Sequence, residues 1–148
     1  MSSNVSADLI WEISRNTNSY LVKRTHAQFS RDPLNLVNLN SRKYAGFVND
    51  KAVGIAPGEK GGVVVTSKKA GSITKPSARA TTTYGGNKTT RKTYKNVASQ
   101  VAKSGYRPDL RQAAVARASA IRASQRTPKP DQEKKLRGNA AKRAAAEN

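Results

Sequence analysis

The fold is decided by residues 52–66, which read AVGIAPGEKGGVVVT. Two short runs in this stretch, Ala52–Ile55 and Gly62–Thr66, are rich in the β-branched residues that are typical of strands. Pro57-Gly58 lies between them and marks a turn. We therefore predict two successive strands of an antiparallel sheet.

Further strand candidates precede this stretch at intervals of roughly ten residues. No long helical pattern lies between them, which favours an antiparallel β-meander. The strand candidates are Tyr20–Lys23, a segment around Gln28–Phe29, and Tyr44–Val48. The turn signals between them are Asp32-Pro33 and Asn49-Asp50.

A short helix is predicted ahead of the strands, running to about Arg15. Ser6 is a residue type that caps a first helical turn. Leu9, Ile10 and Ile13 then fall on one side of the helix, and we expect that side to cover one face of the meander. Residues 1–66 are thus predicted to be a small α+β globular domain.

The apolar residues that build such a core are concentrated in this domain. Leu, Ile, Val and Phe total 25 of the 148 residues, and 18 of the 25 lie in residues 1–66. A fraction below roughly 20% together with high net charge is typical of chains that are disordered alone. We therefore expect the rest of the chain to be ordered by a partner.

Charge is distributed as unevenly as the apolar residues. The formal net charge is +19, from 28 Lys or Arg and 9 Asp or Glu. Residues 60–108 contain 11 of the bases and no acid. A nucleic acid suits such a chain, because each phosphate that a Lys or Arg neutralises releases counterions.

The basic part of the chain divides into three segments. Residues 67–87 are Gly, Ser, Thr, Lys and Ala without periodicity, which predicts an extended basic arm. Residues 88–126 predict two basic amphipathic helices, the first ending at Gly105 and the second starting at Pro108-Asp109. Residues 127–148 are predicted to be a basic tail.

Both predicted helices separate apolar from cationic residues on a helical wheel. Tyr94, Val97 and Val101 lie on one side of the first helix, and its cations occupy the adjoining side. In the second helix Arg117 falls on the apolar side. We expect it either to extend its charged end to solvent or to reach a separate phosphate.

Eighteen cations between residues 23 and 126 are the candidate nucleic-acid-binding residues. We expect them to contact phosphates, with little reading of base edges. The candidates are Lys23, Arg24, Arg42, Lys43, Lys68, Lys69, Lys75, Arg79, Lys88, Arg91, Lys92, Lys95, Lys103, Arg107, Arg111, Arg117, Arg122 and Arg126.

The aromatic residues divide between core positions and one open alternative. Tyr84 lies in the predicted arm without apolar neighbours, so stacking on an unpaired base and a core position remain equal alternatives. The aromatic residues predicted to lie in the core are Trp11, Tyr20, Tyr44 and Phe47.

Catalytic and metal chemistry find little support in the sequence. His26 is the only histidine, and the acids are scattered apart from Asp131 and Glu133. Gly85–Thr89 lacks the spacing of a phosphate-binding loop. We predict no catalytic residue, no metal ion, no cofactor and no small-molecule substrate.

The chain also lacks the features of secreted and membrane proteins. It has no cysteine, which fits a reducing compartment. No apolar run has the length of a signal peptide or of a membrane span of about 20 residues. We expect neither a membrane partner nor a homo-oligomer.

One motif in the second basic helix is similar to the signature of a known family. The sequence YRPDLR at 106–111 is followed by Ala113-Ala114, Arg117–Ile121 and Ser124-Gln125. With these residues the chain resembles the eukaryotic large-subunit ribosomal protein family L twenty-eight. Matches in the same order precede the motif, at Leu9–Trp11, Arg15-Asn16, Leu21–Arg24, Asn35-Leu36, Asn40-Ser41, Tyr44–Gly46, Val53-Gly54 and Gly62–Val65.

The resemblance implies a structural, rRNA-binding component of the 60S subunit that has neighbouring ribosomal proteins as partners. It implies a cytoplasmic location on ribosomes, with nuclear or nucleolar transit during assembly, and no catalytic activity. The basic positions that match the family pattern are Lys23, Arg24, Arg107, Arg111, Arg117 and Arg122.

One alternative remains open from the sequence. The chain could instead be a nuclear ribosome-assembly factor or another non-ribosomal basic nucleic-acid-binding protein. Lys134–Arg137 and Lys142-Arg143 resemble nuclear import signals, which both interpretations accommodate.

Overall fold

The chain begins with a short helix whose start is fixed by a serine cap. The computed structural model describes residues 5–69, 75, 77–131 and 135–146. Helix α1 spans Ala7–Ser14, and Ser6 Oγ accepts a hydrogen bond from the N–H of Leu9 at 3.2 Å. Because this bond satisfies one of the N–H groups that a first turn leaves unpaired, the helix starts here. The predicted N-terminal helix is confirmed.

Five strands follow within the described residues, and they form two separate antiparallel sheets. Strands β1 (Leu21–Lys23) and β2 (Gln28–Ser30) make a small hairpin. Strands β3 (Val53–Pro57), β4 (Gly62–Lys68) and β5 (Arg79–Gly85) make a three-stranded sheet in the order β3-β4-β5. The α+β class and the strands around residues 52–66 are confirmed, but two sheets replace the single predicted meander.

The strand predicted at Tyr44–Val48 is wrong, because these residues form turns. A buried carboxylate determines their path. Asp32 accepts hydrogen bonds from the N–H of Leu34 at 2.9 Å and from the N–H of Phe47 at 3.0 Å. Backbone groups that bond this side chain cannot at the same time pair with a neighbouring strand, so the segment turns rather than extends.

The extended arm predicted for residues 67–87 also needs correction. Most of its second half is strand β5, which pairs along its whole length with β4, from Gly62↔Gly85 to Lys68↔Arg79. Threonine is a good strand former because its branched side chain packs well on a pleated surface, and Thr81–Thr83 supply this property. Residues 70–74 and 76 of the predicted arm lie outside the described residues.

The two predicted basic helices are present and are joined by irregular turns. Helix α2 spans Thr90–Ala98 and continues as a wider π-helical turn over Ser99–Lys103. A 3₁₀ turn at Pro108–Leu110 leads into helix α3, Arg111–Ser124. A further helix, α4, spans Asn139–Ala146.

The core lies between the three-stranded sheet and these helices. Ile55 pairs with Val65, and Val63 pairs with Tyr84, so the apolar residues of three strands share one face. Val97 of α2 and Val101 of the π turn pack against that face. Leu110 of the 3₁₀ turn and Ala114 and Ala118 of α3 pack against it as well. The C-terminal helices therefore contribute directly to the core that contains β3 and β4.

Helix α1 does not cover the sheet as predicted. None of its residues is buried, and Leu9 and Ile13 are 52% and 70% exposed. Helices α2 and α3 occupy the apolar face instead, because Ala114 and Ala118 are small enough to let a helix approach the strands closely. The prediction that four aromatic residues lie in the core is partly confirmed. Tyr44 packs against the core, whereas Trp11, Tyr20 and Phe47 are half-buried outside it.

Two isoleucine-to-alanine substitutions test this arrangement. Ile55→Ala removes a side chain that is 2% exposed and should lower the free energy of unfolding by about 2–5 kcal/mol, since it leaves a cavity. Ile13→Ala is the matched control, and it should change stability by no more than about 0.5 kcal/mol. Urea unfolding followed by circular dichroism measures both, and equal losses would show that α1 is docked on the core.

Candidate nucleic-acid interface

The predicted RNA-binding cations fall into two groups in the structure. One group is buried or half-buried and donates hydrogen bonds to the protein's own backbone, and it comprises Lys68, Arg107, Arg117 and Arg122. The other group is exposed, and its members are Lys23, Arg24, Lys43, Lys69, Lys75, Arg79, Lys88, Arg91, Lys92, Lys95, Lys103, Arg111 and Arg126.

Arg117 connects helix α3 to the edge of the three-stranded sheet. Its Nε donates to the carbonyl oxygen of Ile55 at 2.8 Å, and its Nη1 donates to the carbonyl oxygen of Leu36 and to Asn38 Oδ1, both at 3.1 Å. Because β3 is an edge strand, this arginine satisfies an acceptor that the sheet leaves free. Its position on the apolar side of the helix is thus explained by the protein's own backbone.

Arg107 holds the turn before α3 against the loop that precedes β3. Its guanidinium forms a two-pronged pair with Asp109, at 2.8 and 2.7 Å, and it also donates to the carbonyl oxygens of Lys51 and Lys43. The hydrogen bonds from Arg107 hold the pKa of the Asp109 carboxyl below its ordinary value and raise the pKa of Arg107 itself. Charge-assisted pairs of this geometry are among the stronger polar contacts in proteins.

Arg122 and Lys68 are engaged in the same way. Arg122 Nη2 donates to the carbonyl oxygens of Gly86 and Lys88, which lie in the turn between β5 and α2. Lys68 is 9% exposed and donates from Nζ to the carbonyl oxygen of Asn49 at 2.8 Å. Burial lowers the pKa of Lys68, because a desolvated ammonium group is less stable than a hydrated one.

Arg42 belongs to neither group. It is half-buried, and it contacts Asp8 of α1 at 2.9 Å and the side chain of Asn49. Since Asp8 is largely exposed, this pair contributes little to stability. The guanidinium nevertheless has partners within the protein.

Two residues that sequence reasoning did not single out complete the connection between helices and sheet. The Tyr106 hydroxyl donates to the carbonyl oxygen of Lys68 at 2.8 Å and accepts from the N–H of Ala52 at 3.2 Å. Gln125 exchanges two hydrogen bonds with the backbone of Gly62, at 2.8 and 2.7 Å. Both residues belong to the motif at 106–125, which was the sequence signal that could have marked them.

The alternative left open for Tyr84 is decided by its burial. Tyr84 is 9% exposed and belongs to the core, and its hydroxyl donates to Gln100 Oε1 at 3.0 Å. Lys88 Nζ lies 5.6 Å from the centre of its ring. Since its surroundings are protein on most sides, Tyr84 is a core residue in this structure rather than an open stacking platform.

The exposed cations are concentrated on helix α2 and beside it. Arg91, Lys92 and Lys95 are exposed along α2, and no acid occurs in residues 60–108 to neutralise them. Lys95, Lys103 and Arg111 line an open groove between α2 and α3. This arrangement exposes positive charge to solvent on the surface of the two packed helices.

No group of three or more His, Cys, Asp or Glu side chains that could hold a metal ion occurs among the described residues. Within those same residues, no helix is both long enough and apolar enough to cross a membrane.

Comparison with known proteins identifies a family for this chain. Residues 9–124 match the Ribosomal L28e protein family. The chain belongs to this family. The matched range runs from α1 to the end of α3, so it contains both sheets and the helices that pack on the larger one.

Relatives in the Ribosomal L28e family cover most of the chain. Large ribosomal subunit protein eL28 of Schizosaccharomyces pombe is 42% identical over 130 residues, which is 85% of this chain and 97% of that protein. Its counterpart in Dictyostelium discoideum is 32% identical over 135 residues, 91% of this chain and 100% of that protein. The resemblance stated from the motif at 106–125 is therefore confirmed.

A pair of arginine substitutions in α3 tests the division between structural and exposed cations. Arg117→Ala should lower the free energy of unfolding by about 2–4 kcal/mol, because it leaves three acceptors without their charged donor. Arg111→Ala, in an exposed position of the same helix, should change it by no more than about 0.5 kcal/mol. Chemical denaturation measures both, and a comparable loss for Arg111 would contradict the division.

Proposed function

We propose that this protein is a structural constituent of the large ribosomal subunit that binds and stabilises rRNA in the cytoplasm, after passing through the nucleolus during assembly. Membership of the Ribosomal L28e family and relatives named as large ribosomal subunit proteins support the ribosomal part of this proposal. The role includes no catalytic step. Neighbouring ribosomal proteins are its further partners.

The observation that carries the RNA contact is the exposed, acid-free cationic face of α2. Residues 60–108 contain no acid, and Arg91, Lys92 and Lys95 of α2 are exposed, whereas Thr93 and Val97 of the same helix are buried. A Lys or Arg in this setting gains most from a phosphate, because it releases condensed counterions without breaking an internal ion pair.

The proposed contact set is the exposed group of cations, narrowed from the set that the sequence predicted. Lys68, Arg107, Arg117 and Arg122 are left out because a phosphate would have to compete with the backbone acceptors that they already bond. The helices that carry the exposed cations are fixed on the sheet by the core. Phosphate contacts from such a rigid support position a protein on RNA without selecting a base sequence.

Sedimentation tests the ribosomal assignment directly. A tagged version of the full chain, expressed in eukaryotic cells, should sediment with large subunits and remain there in moderate salt. Recovery only in light fractions free of ribosomal particles would overturn the assignment. Recovery confined to nuclear precursor particles would instead favour an assembly factor.

Salt dependence tests the phosphate contacts. Replacing Arg91, Lys92 and Lys95 together by Gln should reduce the slope of log Kobs against log salt concentration for large-subunit rRNA by roughly 2–3, since each lost phosphate contact removes a little under one unit. Filter binding at several salt concentrations measures the slope. The affinity should fall to a similar degree for unrelated structured RNAs.

A matched variant distinguishes the effect of where the positive charges lie from the effect of how many there are. Replacing Arg31, Lys51 and Lys60 by Gln removes the same number of charges from exposed positions outside the proposed set. We expect this control to change the slope much less. An equal reduction in both variants would mean that only net charge matters and would contradict the proposed surface.

A further inference from the structure

The groove between α2 and α3 has a composition that distinguishes it from the rest of the cationic surface. Its volume is about 600 Å³, within the range of sites that hold small organic groups. Its apolar wall is formed by Tyr94, Ala98, Ala102 and Val115. An open groove with an aromatic ring and several small side chains offers a flat apolar surface next to solvent.

The rim of this groove is cationic. Lys95 and Lys103 lie on the α2 side and Arg111 lies at the start of α3, and no acidic residue lines the groove. All three side chains are exposed. Among the described residues, no other side chain forms a hydrogen bond or ion pair with any of the three. The groove thus combines an apolar wall with three positive charges.

The π turn at Ser99–Lys103 explains how both lysines reach the same groove. On a regular α-helix, eight residues correspond to about 80° of rotation beyond two full turns, which would carry Lys103 away from Lys95. The N–H of Ser104 instead bonds the carbonyl oxygen of Ser99 at 3.3 Å. Because this wider turn holds more residues, each advances less around the axis, and Lys103 stays on the side of Lys95. Such turns are rare and often occur at functional sites.

We propose that this groove holds one unpaired nucleotide of the bound RNA, with its base against Tyr94 and the small apolar side chains and its flanking phosphates on Lys95, Lys103 and Arg111. The inference rests on the proposed function, because it requires an RNA partner. It extends that function from contact with phosphates to recognition of a local RNA conformation in which one base is unpaired and unstacked.

The chemistry of the groove favours a nucleotide over other occupants. An unstacked base presents a flat π surface that aromatic side chains bind irrespective of sequence. The phosphates on either side carry the negative charge that the three rim cations require. Fully paired RNA would present phosphates alone and would leave the apolar wall unused, so the groove should distinguish an unpaired nucleotide from a duplex.

Two RNA hairpins that differ in one nucleotide test the proposal with the full chain. One hairpin carries a single-nucleotide bulge in its stem, and the other has the same stem fully paired. The wild-type protein should bind the bulged hairpin more tightly. Tyr94→Leu should reduce that preference by roughly 5- to 100-fold, or abolish it if it is smaller, because stacking is lost, while its affinity for the paired hairpin stays within about twofold.

A second variant blocks the groove without changing charge. Ala102→Leu fills the groove from the half-exposed side of the π turn and should abolish the preference for the bulged hairpin. Ala120→Leu is the matched control, since Ala120 is exposed on α3 and does not line the groove. It should retain the preference, and unchanged thermal unfolding of both variants shows that they remain folded.

A crosslink locates the base itself. With 4-thiouridine at the bulge, ultraviolet irradiation should attach the RNA to the groove-lining residues of α2 and α3. Crosslinks confined to other surfaces, equal binding of the two hairpins, or an undiminished preference in Ala102→Leu would each overturn the inference while leaving the phosphate surface intact. Failure to bind either hairpin would instead count against the proposed function.

Discussion

The close packing of α3 on the three-stranded sheet is the constraint on which the rest of the structure depends. Ala114 and Ala118 have no exposed surface, and they are one helical turn apart, so they form a narrow strip of small residues against the strands. A larger side chain at either position would push the helix outward. Arg117 would then lose contact with Ile55, and Arg111 would move relative to α2. The hydrogen bonds of Arg117 and the shape of the groove therefore both depend on how closely α3 approaches the sheet.

The elements were largely predictable from the sequence, whereas the way they assemble was not. Runs of β-branched residues indicated β3 and β4, and apolar periodicity together with a proline and a glycine indicated α2 and α3. The extent of the core was underestimated because the apolar count omitted alanine and tyrosine. Ala114, Ala118 and Tyr84 are buried, and they extend the core well beyond residue 66. Strand β5 was missed because Arg79 and the threonines at 81–83 have the character of polar arm residues until a partner strand is known.

The cationic surface was predictable as a property of the chain but not residue by residue. Composition and the acid-free stretch pointed to a polyanion, and the motif at 106–111 pointed to the family. Neither could separate Arg111, which is exposed, from Arg107, which bonds the backbone of Lys51 and Lys43. That distinction depends on which carbonyl oxygens lie within reach of each guanidinium, and only the packed structure determines this. The groove was likewise hidden, because a π turn has no reliable sequence signature.

The inward-facing arginines would act on the proposed RNA partner over distance rather than through contact. Arg107, Arg117 and Arg122 keep their charge while their hydrogen-bond donors are directed to carbonyl oxygens of the same chain. Electrostatic potential extends over roughly 8–10 Å at physiological ionic strength, so these charges still attract an approaching polyanion. In the proposed complex they would raise the rate of encounter more than they lengthen the lifetime of the complex, since they form no short-range bond that must break. For the proposed RNA partner, the net charge of +19 is therefore a better guide to how quickly the complex forms than to how long it lasts.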